Sequence, residues 1–186
     1  MFLSKAEIDA SLTWLVENAS PPVKYLTHRH LLHADPRSEP MLELWQCVET
    51  SLAAEEIFSR QNADGSWFSG GPWGPRGYRR ETGPGYTLTR PKFVTTAWIL
   101  PFLGEMGFTA ANERVRKSCA LLLEEVGSPK ESLERGVDAA NCCGLSAIPL
   151  RALASVGLAA DARLKEKWEW ISQCQRPDGG WLNPNH

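Results

Sequence analysis

An all-α fold of repeated helical hairpins is what this sequence predicts, on three observations. Gln61-Asn62-Ala63-Asp64-Gly65-Ser66-Trp67 and Gln175-Arg176-Pro177-Asp178-Gly179-Gly180-Trp181 share the pattern Gln-x-x-Asp-Gly-(Ser/Gly)-Trp, and internal self-similarity marks a repeat architecture. Strongly apolar stretches alternate with amphipathic ones, and two of the apolar stretches end at glycines 50 positions apart, Gly107 and Gly157. Nothing alternates apolar and polar with a period of two over a useful length, so no strand is expected.

The elements follow in order. Ser4 to Asn18 carries Lys5, Glu7, Asp9 and Glu17 among its apolar residues and reads as an amphipathic first helix, not a signal peptide. Val23 to His33 is expected to be a more buried helix, and Pro40 to Arg60 one long helix running into the first loop. Between them, Asp35-Pro36-Arg37 echoes Asp161-Ala162-Arg163. Phe93 to Met106 is nearly all apolar, as a helix buried on several sides should be, and Asn112 to Leu123 is its amphipathic partner. The loop due after Val126, residues 127–141, has lost the Gln…Trp signature and reads as a degenerate copy. Leu145 to Val156 is the second strongly apolar helix. Asp161 then caps a helix whose Leu164, Trp168 and Ile171 form one stripe, with Lys165, Glu166 and Glu169 facing water. Pro101 and Pro149 fall in the two buried helices, which must therefore bend or begin at the proline.

Bulk properties narrow the function. A chain of 186 residues fits a single domain or an N-terminal fragment of one. A net charge of −2 gives no electrostatic footprint for nucleic acid, and no apolar run is long enough to span a membrane. Five cysteines, an odd count without a secretion signal, argue for reduced thiols and a cytoplasmic location.

The repeated loop has a physical logic. Gly65 and Gly179 permit a sharp turn with positive φ, while the carboxylates of Asp64 and Asp178 accept backbone N–H bonds. Trp67 and Trp181 supply a large ring to bury. With Gln61 and Gln175, these residues read as a structural staple between stacked repeats. Loops of this kind between helix pairs resemble the QW motif of squalene-hopene-type cyclases, and more broadly the repeat of terpenoid cyclases and protein prenyltransferases. The segment Leu150-Arg151-Ala152-Leu153…Gly157…Asp161-Ala162-Arg163…Gln175-Arg176-Pro177-Asp178-Gly179-Gly180-Trp181 matches that repeat along nearly its whole length, and the resemblance spans roughly residues 35 to 181. It implies an α/α toroid, with buried inner helices alternating with amphipathic outer ones around a central cavity, and an isoprenoid-type apolar ligand. The ring closure follows from the resemblance alone. The chain supplies fewer hairpins than a closed ring of that type, so the rest of a longer chain or a homo-oligomer is expected to cover the open end.

The chemistry of those families requires residues that this segment lacks. Protonating cyclases use Asp-x-Asp-Asp, and ionising ones an Asp-rich cluster that holds magnesium. The six aspartates here are Asp9, Asp35, Asp64, Asp138, Asp161 and Asp178, and no two lie within ten residues of each other. Prenyltransferases hold zinc through Asp, Cys and His, which makes Asp138, Cys142 and Cys143 the metal candidates, with His186 after the last loop. The spacing departs from Asp-x-Cys, since Ala140 and Asn141 stand two before the cysteines; zinc is not favoured, and no other cofactor is identified. His28, His30 and His33, with Asp35 nearby, are a second metal candidate, although only His30 and His33 share a helical face. On an enzyme reading, the catalytic residues are expected mostly outside this segment.

Residues 68–92 form a long insertion loop with six glycines and four prolines, and such loops in compact domains are usually functional or disordered. Here Trp73, Tyr78 and Tyr86 are interleaved with Arg76, Arg79, Arg80, Arg90 and Lys92. The arginines can fork onto a phosphate or carboxylate, so Arg76, Arg79, Arg80, Trp73 and Tyr78, with Trp98 from the following helix, are the ligand-binding candidates. An Ω-loop packed on its own aromatics is the competing reading. For function the alternatives are a cyclase- or prenyltransferase-like protein acting on an isoprenoid-type ligand, and a non-catalytic repeat protein that binds a ligand or another protein.

Overall fold

A computed structural model describes residues 4–67, 94–126, 143–173 and 175–181. Among them every regular element is helical, as the periodicity predicts. The described residues form eight α-helices: α1 (Lys5–Asn18), α2 (Pro21–Leu26), α3 (Glu39–Glu49), α4 (Leu52–Ser59), α5 (Thr96–Glu105), α6 (Glu113–Val126), α7 (Cys143–Leu153) and α8 (Lys165–Gln173). No described helix is long and apolar enough to cross a membrane. The chain divides into two compact units, one drawn from Met1–Ser59 with Glu105–Gly107 and the other from Arg60–Gly104 with Phe108–His186.

In the first unit, α1 starts on a complete capping box. The Ser4 backbone N–H donates to Glu7 Oε2 at 2.7 Å, and the Glu7 N–H donates back to Ser4 Oγ at 3.3 Å. The Ser4 backbone N–H and the Ser4 hydroxyl, both donating to Glu7 Oε2, favour the ionised carboxylate and lower the Glu7 pKa. The helix occupies the expected span but buries none of its residues, and Trp14 remains 60% exposed. Its neighbour α2 opens on Ser20 with Pro21 and Pro22 in the first turn, where the missing N–H groups cost nothing. Tyr25 stacks at a tilt on Trp45 of α3, with ring centroids 5.1 Å apart.

Two expectations fail in this unit. The helix predicted over Val23–His33 is neither continuous nor strongly buried. It ends at Leu26 and widens into a π-helical turn, Thr27–Leu31, in which the Leu32 N–H reaches Thr27 O at 3.1 Å. His33 then leaves the helical path at φ 52°. Only Tyr25 and Thr27 are buried there, while Val23, Leu31 and Leu32 are 41–55% exposed. The single helix predicted over Pro40–Arg60 is two. Thr50 sits at φ −98°, ψ 9° and its hydroxyl donates to Gln46 O, while Ser51 Oγ donates to Val48 O and accepts the Ala54 N–H. Adjacent hydroxyls that bond to the backbone stop one helix and start the next.

The second unit carries the regular alternation. Helix α5 buries Thr96, Ala97, Leu100, Pro101 and Leu103, and α7 buries Pro149, Leu150, Ala152 and Leu153. Both prolines lie inside their helices, so neither helix begins at its proline. Helix α6 is two-sided: Val115, Ser118, Cys119, Leu122 and Leu123 are buried, while Glu113, Arg116, Lys117 and Ala120 face water. Burial pushes the Cys119 thiol up to about 12, so this cysteine behaves as a small apolar residue. Leu164, in the short turn Ala162–Leu164 that packs against α6, is also fully buried.

The hairpin turns repeat as well as the helices. After α5, Gly107 takes φ 98° and the Phe108 N–H reaches back to Leu103 O at 2.9 Å. After α7, the π-helical turn Ala154–Leu158 contains Gly157 at φ 91°. The two turns are joined, since the Ala110 N–H donates to Val156 O at 2.9 Å. The sequence echo is also a shared geometry: Asp35 Oδ1 accepts the Arg37 N–H at 2.9 Å, and Asp161 Oδ1 accepts the Arg163 N–H at 3.0 Å.

Helix α5 and the turn after α7 touch through backbone. A Cβ added at Gly104 would lie 2.4 Å from Ser155 O and 2.9 Å from its carbonyl carbon. Alanine normally stabilises a helix interior relative to glycine by roughly 1 kcal/mol. Here that preference is outweighed, because no side-chain rotation relieves a clash with a carbonyl. Gly104→Ala is expected to lower unfolding free energy by about 1–3 kcal/mol, as overpacked sites do. A rise in the urea midpoint would show that the two backbones separate freely.

Candidate functional site

Two features of the second unit stand out, the paired loops and the accessible apolar side chains at α5. The loops are built from one set of bonds. In the first, an isolated antiparallel bridge joins Gln61 to Trp67; in the second, the same bridge joins Gln175 to Trp181. The Asn62 N–H donates to Ser66 O at 2.8 Å and the Gly65 N–H to Asn62 O at 3.0 Å; the Arg176 N–H donates to Gly180 O and the Gly179 N–H to Arg176 O, both at 2.9 Å. Asp64 Oδ1 takes the Ser66 N–H, and Asp178 Oδ1 takes the Gly180 N–H. Gly65 and Gly179 stand at φ 92° and 84°, in the left-handed region where a Cβ is costly. Each glutamine folds across its own loop, Gln61 Nε2 to Gly65 O at 3.1 Å and Gln175 Nε2 to Gly179 O at 2.9 Å.

Their surroundings differ completely. The first loop is seated on α6. Gln61 Nε2 also reaches Arg114 O and Ser118 Oγ, both at 2.9 Å, and Gln61 Oε1 accepts from Arg114 Nε at 3.2 Å. Ser118 Oγ approaches Gly65 O at 2.6 Å. A Cβ on Gly65 would meet the Lys117 Cβ at 2.7 Å and backbone at 2.9 and 3.0 Å. Trp67 is 2% exposed, and its N–H donates to the Thr96 hydroxyl at the start of α5. Among the described residues, the second loop touches nothing comparable. Residues Gln175 to Trp181 are all exposed, Trp181 is 50% accessible, and a Cβ on Gly179 would have nothing within 4 Å. The Trp181 indole N–H donates only locally, to Ile171 O at 2.8 Å.

Of the ligand-binding candidates, Trp98 is described and is half-buried on α5. One turn on, Phe102 is 43% exposed, and Val94, just before the helix, is 44% exposed. Trp98 and Phe102 thus lie one turn apart on α5, with Val94 in the turn just before it, as accessible apolar side chains beside a helix that buries Thr96, Ala97, Leu100, Pro101 and Leu103. Trp73, Arg76, Tyr78, Arg79 and Arg80 lie outside the described residues, with the rest of 68–92. So do Asp138, Cys142 and His186; Cys143 opens α7. Among the described residues no three His, Cys, Asp or Glu side chains converge to hold a metal. His30 and His33 are exposed and His28 half-buried, on and just after the π-helical turn.

An ion pair forms at the cap before α8. Arg163 grips Asp161 with its guanidinium, Nε to Oδ1 at 2.8 Å and Nη2 to Oδ2 at 2.6 Å. These bonds, and the Arg163 backbone N–H, hold the Asp161 carboxyl down at about 2. A folded-state pKa below the unfolded value means the pair stabilises the fold fully above the ordinary carboxylate range, and the contribution is lost as pH falls through about 2. A carboxyl-carbon NMR titration should place Asp161 near 2, and Arg163→Ala should move the midpoint up toward 3.8. An unmoved midpoint would mean that the backbone N–H alone sets it.

This sequence missed one thing that geometry supplies: Ser118 and Arg114, unremarkable on an amphipathic helix, form the seat of the first loop. Compared with known protein families, with curated proteins and with solved structures, the chain matches none.

Proposed function

We propose that this chain is a repeat protein of the terpenoid-cyclase and prenyltransferase-like kind, its hairpins forming part of an α/α toroid, and that it binds an isoprenoid-type apolar ligand. The observation that carries the reading is the pair of loops, which share one hydrogen-bond set and follow helices that alternate between buried and two-sided. Apolar binding is supported by Val94, Trp98 and Phe102, because a helix of the core has no packing reason to leave a phenylalanine nearly half exposed. Arg76, Arg79 and Arg80 are then the groups that meet an anionic end of the ligand.

The test is a titration with farnesyl diphosphate, followed by tryptophan fluorescence. Saturable quenching is expected, weakened about tenfold or more, a loss of roughly 1.4 kcal/mol, by the triple change Arg76→Ala, Arg79→Ala, Arg80→Ala and also by Phe102→Ser. Binding that neither variant changes would remove the site, and no binding at all would remove the ligand class. A second reading, a non-catalytic protein whose repeats bind another protein, is favoured by the full exposure of the second loop.

A further inference from the structure

We propose that Ser20 is a phosphorylation site for a proline-directed protein kinase, and that the phosphate added there loosens α1. Ser20 lies in the short connection between α1 and α2, exposed and in extended backbone at φ −66°, ψ 158°. Its hydroxyl makes no capping bond, because Pro21 and Pro22 open α2 and bring no N–H groups to it. A kinase of this class reads a Ser-Pro pair, here Ser20-Pro21, in a segment that is accessible and extended, with a hydroxyl free to react. All three conditions hold at this position. The chain has one other Ser-Pro pair, Ser128-Pro129, which lies outside the described residues.

The reaction is an ordinary phosphoryl transfer. Ser20 Oγ gives up its proton to the kinase's base and bonds to the γ-phosphorus of ATP, while the bond from that phosphorus to the β-phosphate oxygen breaks and ADP leaves.

The consequence follows from how α1 is held. The helix buries none of its residues, and Leu12, Leu15 and Val16 are half-buried. Among the described residues it packs chiefly on α2 and the π-helical turn. Its last turn is tied to α2 by Lys24, whose Nζ donates to Glu17 O at 2.8 Å. Lys24 also stands one turn beyond Ser20, since its backbone N–H donates to Ser20 O at 2.9 Å, and side chains at that spacing are neighbours. A phosphate on Ser20 carries about two negative charges at neutral pH. It attracts the Lys24 ammonium more strongly than the neutral Glu17 carbonyl does, and so removes the tie. The same charge sits just past Asn18, at the negative end of the α1 dipole, where an anion is unfavourable. The last turn of α1 has no basic residue to offset it. Both effects weaken one element, and loosening it uncovers Leu12, Leu15 and Val16. The inference is independent of the isoprenoid ligand.

The test treats the full-length chain with a mitogen-activated protein kinase and ATP, and locates phosphate by mass spectrometry. A peptide of residues 14–27 reports whether the kinase accepts the sequence by itself. Phosphate is expected on Ser20 in both, with none at that position in Ser20→Ala, and with slow modification of Pro21→Ala although its hydroxyl remains. In the phosphorylated chain, hydrogen exchange of the α1 amides should be about tenfold faster, from the lost tie and the opposed dipole together. Exchange in α6 should not change. Unmodified Lys24→Ala should show a smaller rise in α1 exchange, since it removes the tie without adding charge. The site is overturned by phosphate on Ser128 alone, by modification of the peptide and not the chain, or by modification of neither. The switch is overturned if phosphate on Ser20 leaves α1 exchange unchanged or slower, or if α6 loses protection as well, which would mean that the whole fold has opened.

Discussion

Trp67→Ala is expected to cost about 3–5 kcal/mol of unfolding free energy, the range for truncating a fully buried aromatic ring, whereas Trp181→Ala should cost about 2–2.5 kcal/mol. The two residues close the same bridge in the same loop, yet Trp67 is 2% exposed and Trp181 50%. Burying half a large side chain is worth roughly half its transfer free energy. Trp181→Ala would also lose one hydrogen bond, the indole N–H to Ile171 O, worth about 1 kcal/mol. Urea unfolding of the two variants measures the gap. Equal losses would mean that the ring matters only for closing its own loop, and that seating on α6 contributes nothing.

The glycines offer the complementary comparison. Both have positive φ, so replacing either with alanine incurs the left-handed penalty, about 1–2 kcal/mol. For Gly179→Ala nothing more is expected, because the added Cβ has no atom within 4 Å. For Gly65→Ala the Cβ meets Lys117 and the Ser118 backbone at 2.7–3.0 Å, and overpacking adds roughly 1–3 kcal/mol. The total, roughly 2–5 kcal/mol, should appear as a lower urea midpoint and as loss of protection of the Ser118 amide in hydrogen exchange. If Gly65→Ala and Gly179→Ala prove equal, α6 yields to the added methyl and the seat is soft.

How much of this could be read from the residues depends on whether a feature is local. The loops were legible because their bonds run between residues at most six apart, and each bond needs a residue type that the pattern displays. Helices α1, α5, α6, α7 and α8 were legible because apolar spacing and terminal glycines report on one segment at a time. The break at Thr50–Ser51 was missed since apolar residues continue across it, and only the hydroxyls hint at a stop. The weak burial of Val23, Leu31 and Leu32 was missed because an apolar residue states a preference for cover and not its supply. Trp67 and Trp181 make the point most sharply, for matching signatures give 2% and 50% exposure, and among the described residues only the first loop is seated on α6. For the site, Trp98 was expected from its place beside the long loop, whereas Phe102, one turn further along α5, was read only as core and is 43% exposed. Ser118 and Arg114 carry no signal by themselves and acquire meaning only beside Gln61.

The short reach of the loop bonds has a kinetic consequence. Joining residues four to six apart closes a very small ring of chain, so each loop can form on a fast timescale, before any distant helix arrives. Helix α6, more than fifty positions beyond Gln61, then meets a receptor already in shape rather than one it must mould. A chain assembled in this way has several independent starting points for folding, one at each loop, and needs no single nucleus that gathers the whole length.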